Sequence, residues 1–224
     1  MGHVRTYHRP TSTTAAVALL QRADTPTRVL AGGTQVNADP TASPTDVVDL
    51  QSLGLSGIAR RGERIAVGAT TTLQELADSS LIPDLLRDLA RRELPSTLRT
   101  LATVGGTLAS NDFDSELVAG LLAFDVVTTW VEGAFISEMS IDPSGTAAAD
   151  RTGRTPGDRP IVAAVARRRP NGEVVVALTG IGDYARVVDP TKLDTLDPPG
   201  DFRGSSAYRR HVATVLTNRV MGRV

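Results

Sequence analysis

The chain has 224 residues, 41% of them hydrophobic and 22% charged, with a formal net charge of −1. That length supplies a core for one large domain or two small ones, and the near-zero charge removes the long-range pull on phosphates that nucleic-acid binding needs. Cysteine is absent and the three histidines, His3, His8 and His211, have no metal-ligand spacing, which excludes disulfides, thiolate nucleophiles and cysteine-held iron–sulfur clusters here, predicts no metal, and leaves redox chemistry to an organic cofactor.

Ser12 or Thr13 caps a first helix whose apolar Ala16, Leu19 and Leu20 recur at helical spacing. Residues 27–30 read as a short buried strand ending at Ala31, Gly32, Gly33 and Thr34, and residues 47–50 and 64–69 as two further strands. Thr72 and Glu75 have capping-box spacing ahead of a helix through Ala77. The next helix runs from about Pro83 to Arg92, with Leu85, Leu86 and Leu89 on one face, and Pro95 stops it. Thr103, Val104, Gly105, Gly106 and Thr107 form a second glycine turn, followed by an apolar helix over residues 117–124. The apolar run 117–127 is interrupted by Asp125 and is too short to span a bilayer, so a cytoplasmic protein without targeting or spanning segments is expected.

Residues 126–131 and 135–141 read as strands, and 143–159, rich in Gly, Ala, Thr and Pro, as a loop or linker. Pro170, Asn171 and Gly172 turn a hairpin between strands at 160–167 and 173–179; residues 184–188 add a third strand, and Ser205 caps a last helix reaching about Val220.

The two glycine turns share a chemical logic. Each carries paired glycines beside hydroxyl residues, so backbone N–H groups can reach a phosphate oxygen with no Cβ in the way, and Thr34 and Thr103 can add hydroxyl donors. Neither is a dinucleotide-fold fingerprint nor a Walker loop. A tight strand-ending turn remains the plain alternative for each.

Four segments, in order along the chain, resemble the medium subunits of carbon monoxide dehydrogenase and xanthine dehydrogenase in the molybdenum hydroxylase family. They are residues 29–34 (Val-Leu-Ala-Gly-Gly-Thr), 65–71 with Leu73 and Leu76, 98–109 with the second glycine pair, and 201–210 (Asp-Phe-Arg-Gly-Ser-Ser-Ala-Tyr-Arg-Arg). The resemblance implies an α+β fold: a two-lobed PCMH-type FAD-binding domain over 1–142 (first lobe about 1–54), a linker at 143–159, and a C-terminal domain of three antiparallel strands with helices at 160–224. It implies non-covalent FAD and no catalytic residue or metal in this chain. It also implies partners: a molybdenum-binding large subunit and a small subunit with [2Fe–2S] clusters, in a dimer of heterotrimers, from which this chain passes electrons to an external acceptor.

Carried over by position, Ala31, Gly32, Gly33, Thr34 and Gln35 would line one side of the pyrophosphate, and Thr103, Gly105, Gly106 and Thr107 the other. Glu116 stands where the family has an aspartate that bonds the flavin's hydroxyls; a first-turn carboxylate serving the helix dipole is its other reading. The family's Tyr-x-Lys-x-Gly pattern appears as Ala149, Asp150, Arg151, Thr152 and Gly153, so the flavin-bordering aromatic is missing and Arg151 replaces the lysine. Thr107 replaces an asparagine, and the chain is short between Trp130 and Phe135. Two readings stay open: an FAD-binding electron-transfer subunit, or a cofactor-free structural or regulatory paralogue of one.

Overall fold

The computed structural model of the chain describes residues 4–36, 43–155 and 157–224, and His3 lies outside them. In chain order the elements are β1 (Val4–His8), α1 (Thr13–Leu20), β2 (Thr27–Leu30), β3 (Thr45–Asp49), β4 (Ile58–Arg61), β5 (Arg64–Gly68), α2 (Leu73–Asp78), α3 (Asp84–Glu93), α4 (Ser96–Arg99), α5 (Val104–Ser110) and α6 (Glu116–Ala123). They continue with β6 (Val127–Val131), β7 (Phe135–Ile141), β8 (Thr146–Thr152), β9 (Val162–Arg168), β10 (Val174–Thr179), β11 (Arg186–Val188) and α7 (Ser206–Met221). No helix among the described residues is long and apolar enough to cross a membrane.

Packing divides the chain into two units. The first holds Met1–Leu81, Pro95–Ser110 and Val127–Ser140; the second holds Ile82–Leu94, Asn111–Val126 and Ile141–Val224.

In the first unit, β1 and β2 flank β3, both parallel to it. Helix α1 buries Ala16 and Val17 against Val48 and Leu50, with Leu19, Leu20 and Val29 at the margin, and Ser12 caps it by accepting from Ala15 N. All of β3 is buried, including Asp46 and Asp49. Those carboxylates are satisfied from neighbouring segments: Arg5 reaches Asp46 at 2.9 Å and Arg22 at 3.1 Å, and Tyr7 donates to Asp49. Strand β1 was not foreseen, because its mostly exposed Val-Arg-Thr-Tyr-His run has no apolar periodicity and is set by pairing with β3.

The second sheet has the order β4-β5-β7-β6. Strands β6 and β7 form an antiparallel hairpin. Glu132 and Gly133 close it with φ of 46° and 70°, and Ala134 N donates to Val131 O at 2.8 Å. Two successive residues at positive φ make the turn that matches strand twist, so the place where the chain is short is a tight hairpin. The Thr72–Glu75 capping box forms as expected, with Thr72 N donating to the Glu75 carboxylate at 2.7 Å and Glu75 N to the Thr72 hydroxyl at 3.1 Å.

The second unit is built on an antiparallel sheet of order β11-β10-β9-β8. It has four strands where three were expected. The fourth, β8, lies in the stretch read as a loop, paired with β9 along its whole length. Strand β9 is buried on both faces: Val162, Ala164 and Ala166 join Val212, Ala213, Leu216 and Val220 of α7 in one core. Alternation sends Ala163, Val165 and Arg167 to the opposite face, and α6 packs on β9 as well. Helix α3 seats on α6 at Gly120, where a Cβ would stand 2.4 Å from a Leu89 methyl.

Candidate functional site

The glycine turns of the first unit meet directly. A Cβ on Gly32 would lie 1.8 Å from the carbonyl oxygen of Leu101, so only glycine allows the residue 31–35 turn to lie against the segment leading into the second glycine pair. Gly33 adopts φ of +73°, the left-handed region that side chains avoid. The turn follows β2 at the carboxyl end of a parallel sheet, where open α/β sheets usually present ligand-binding loops. Ala31, Gly32, Gly33 and Thr34 are half-buried and Gln35 is exposed. Among the described residues nothing accepts from the N–H groups of Gly32, Gly33 or Thr34. Three successive unspent donors around a left-handed glycine suit a pyrophosphate oxygen.

The second glycine pair differs from expectation. Residues 104–110 are the helix α5, not a turn, and its first N–H groups are spent inside the protein. Val104 N donates to Thr71 O and Gly105 N to Ala69 O, both at 2.9 Å, and Thr107 N donates to Thr103 O. The Thr103 hydroxyl accepts from Gly106 N at 3.1 Å, the geometry of a helix cap, while the Thr107 hydroxyl turns back onto Thr103 O. Gly105 has a packing reason, since a Cβ there would stand 2.6 Å from that of Ala69. Thr103, Gly105, Gly106 and Thr107 therefore hold the segment that braces the first turn, and in this conformation Gly105, Gly106 and Thr107 spend their backbone donors within the protein.

The remaining expected residues belong to the second unit, and the structure joins them. Glu116 Oε1 lies 2.9 Å from Arg151 Nη1, and Glu116 Oε2 lies 3.4 Å from Arg92 Nη2. Two of the positions at which the sequence departs from the family pattern are thus the two ends of one ion pair. Glu116 is only 5% exposed and opens α6 behind the Ser115 cap, so it also serves the helix dipole. Ala149 is half-buried in β8, and no ring stands at that place.

Sequence reasoning missed the neighbours of this pair. Glu93, with 4% of its side chain exposed, ends α3 and accepts from Leu117 N at 3.2 Å. Arg159 bridges it, at 3.3 Å, to Asp114 at 3.0 Å. Burial pushes the Glu93 carboxyl above its ordinary range, with Arg159 and the bonds from Ser115 and Leu117 offsetting part of the effect. Burial also works against the Arg159 charge, but the field of Glu93, Asp114 and Asp112 outweighs it and holds the guanidinium above its usual value. No local motif marks Glu93; its carboxylate is ordinary until α6 and Arg159 fold over it. What these residues can do is bind and orient.

Comparison with known proteins agrees with this geometry. Residues 2–143 match the family described as the FAD binding domain in molybdopterin dehydrogenase. The uncharacterized protein YgfM of Escherichia coli (strain K12) is 26% identical over 242 residues, covering 95% of this chain and 93% of that protein. The carbon monoxide dehydrogenase medium chain of Afipia carboxidovorans is 26% identical over 274 residues, covering 97% and 95%. In structure, a carbon monoxide dehydrogenase from Hydrogenophaga pseudoflava superposes with a TM-score of 0.86 over 97% of this chain and 96% of that one at 20% identity, a likeness of fold. With a family match across well over half its length, this chain belongs to the family described as the FAD binding domain in molybdopterin dehydrogenase.

Proposed function

We propose that the chain binds FAD non-covalently and serves as the flavoprotein subunit of a molybdenum hydroxylase-type oxidoreductase. In that role it takes electrons from the [2Fe–2S] clusters of a small partner subunit and passes them to an external acceptor, while a molybdenum-binding large subunit oxidises the substrate. The carrying observation is the run of unspent N–H groups at Gly32, Gly33 and Thr34 around the left-handed Gly33. Ala31 to Gln35 would hold the pyrophosphate, with Thr103, Gly105, Gly106 and Thr107 bracing that cradle. FAD supplies the hydride and single-electron chemistry when bound; this chain's residues supply binding and orientation. The same reading takes residues 1–142 as the FAD-binding domain and 160–224 as the C-terminal domain, supported by a family match that ends at residue 143, while the expected linker at 143–159 carries β8 of the second sheet.

A cofactor-free structural paralogue is the second reading. It is favoured by the internal use of every N–H from Val104 to Thr107 and by the missing ring at Ala149. One experiment separates the two. Purified protein mixed with FAD should quench flavin fluorescence and keep, after gel filtration, an absorbance band at about 450 nm, the ordinary flavin range. Gly33→Val should weaken that binding by about tenfold or more, since a branched side chain strains the turn and fills the approach. Protein that stays colourless and leaves FAD fluorescence unchanged would establish the paralogue reading instead.

A further inference from the structure

A cleft of about 470 Å³ opens in the second unit, lined by Phe113, Arg154, Asp158, Arg159, Ile161, Asp201, Phe202 and Arg203. Phe202 stands on its rim with 87% of its surface exposed. A lone exposed phenyl is common at protein surfaces; this one is held out on a rigid mount. Asp201 and Gly204 close a tight turn through paired backbone bonds of 3.0 and 3.2 Å. Buried Arg209 grips the Asp201 carboxylate at 2.7 Å, and Asp114 grips Arg203 at 3.0 Å. Both neighbours of Phe202 are therefore anchored, which fixes the backbone from which the ring is displayed.

The cations around it are arranged to match. Arg203 lies over the Phe113 ring at 5.0 Å and Arg154 over Phe202 at 5.8 Å. Arg203 spends Nη1 on Asp114 and Nε on Asp201, which leaves Nη2 without a partner among the described residues. Arg154 stands 3.7 Å from the Asp158 carboxylate and is 62% exposed. Rigid aromatic surface beside guanidinium donors recognises a flat ring bearing a carboxylate or phosphate: the ring stacks, and the anion takes the fork of N–H groups. We propose that this cleft is a binding site for a planar aromatic anion, the ring covering Phe202 and the charge meeting Arg154 and Arg203.

The test is calorimetric titration of the full chain with 2-naphthoate, against its saturated counterpart and against sulfate, with and without saturating FAD. The site predicts saturable 2-naphthoate binding, weakened about tenfold or more by Phe202→Ala and by Arg154→Gln, and at least as strongly by loss of the ring's planarity. Both side chains are largely exposed, so unchanged melting temperatures for the two variants are expected and would show that the loss is local. Sulfate or the saturated acid binding as well as 2-naphthoate would overturn the proposal. So would unaltered affinity in both variants, or no saturable heat at millimolar ligand. Displacement of 2-naphthoate by FAD would overturn it as well, because the cleft would then belong to the flavin site. FAD binding in the absence of 2-naphthoate, measured separately, keeps this outcome distinct from the function proposed above.

Discussion

A Cβ on Gly32 would meet backbone, the Leu101 carbonyl at 1.8 Å, whereas Gly33 is constrained by its own φ of +73°. Backbone cannot swing aside as a side-chain end can. Gly32→Ala should therefore destabilise the protein by about 1–3 kcal/mol through overpacking, read as a lower urea midpoint at constant slope. Gly33→Ala should cost only about 1 kcal/mol for the left-handed backbone and show itself mainly as lost FAD affinity. Arg167 is a second residue whose role no sequence pattern announces. It is fully buried, with Asp125 and Asp142 both paired to it and Ser144 O accepting at 2.7 Å. Arg167→Met should cost about 3 kcal/mol, because Asp142 loses its cation and Asp125 is left with Arg169. Burial opposes ionisation of Asp142, but the Ser144 hydroxyl and N–H, together with Arg167, overcome it and hold the carboxyl down at about 2. A carboxyl with a lowered folded pKa stabilises fully above its ordinary value of 3.8 and loses that contribution as pH falls toward about 2. Acid unfolding followed by circular dichroism should show this loss, and Asp142→Asn should flatten the curve in that window.

The elements that were legible in the sequence carry their own local signals. The Thr72–Glu75 box, the Ser205 cap and the Asn171-Gly172 turn each act over a few residues, and each forms where expected. Thr72→Ala removes one half of a reciprocal pair and should cost about 1 kcal/mol, seen as a lower melting temperature. The elements that were not legible depend on distant partners. Strand β8 reads Thr-Ala-Ala-Ala-Asp-Arg-Thr, which has neither alternation nor β-branched density, and it is a strand because β9 pairs with it throughout. The paired glycines of α5 have poor helix propensity. The close approach of Gly105 to Ala69, and the bonds from residues 104 and 105 to Thr71 and Ala69, make them helical nonetheless.

At the scale of the whole chain, Glu116 and Arg151 show how far composition and motif reach. Each is a single departure from a family pattern, and only the fold shows that the departures meet at 2.9 Å. A double-mutant cycle of Glu116→Gln and Arg151→Gln should give a coupling of about 1–3 kcal/mol in unfolding free energy, where independent sites would give none. The sequence by itself determined the family, through four motifs in order, and the mixed α/β character, the caps and the hairpin turns, because those follow from local conformational preference. Tertiary structure alone decided that the second glycine pair opens a helix with its donors spent, and that α3 and α6 pack into the second unit. It also decided that Glu93, Arg159 and Arg167 are buried and paired. Burial and pairing depend on which remote segments arrive, and no local pattern encodes that. The paired glycines thus proved unequal: one loop keeps open donors for an anion, and the other is the brace behind it.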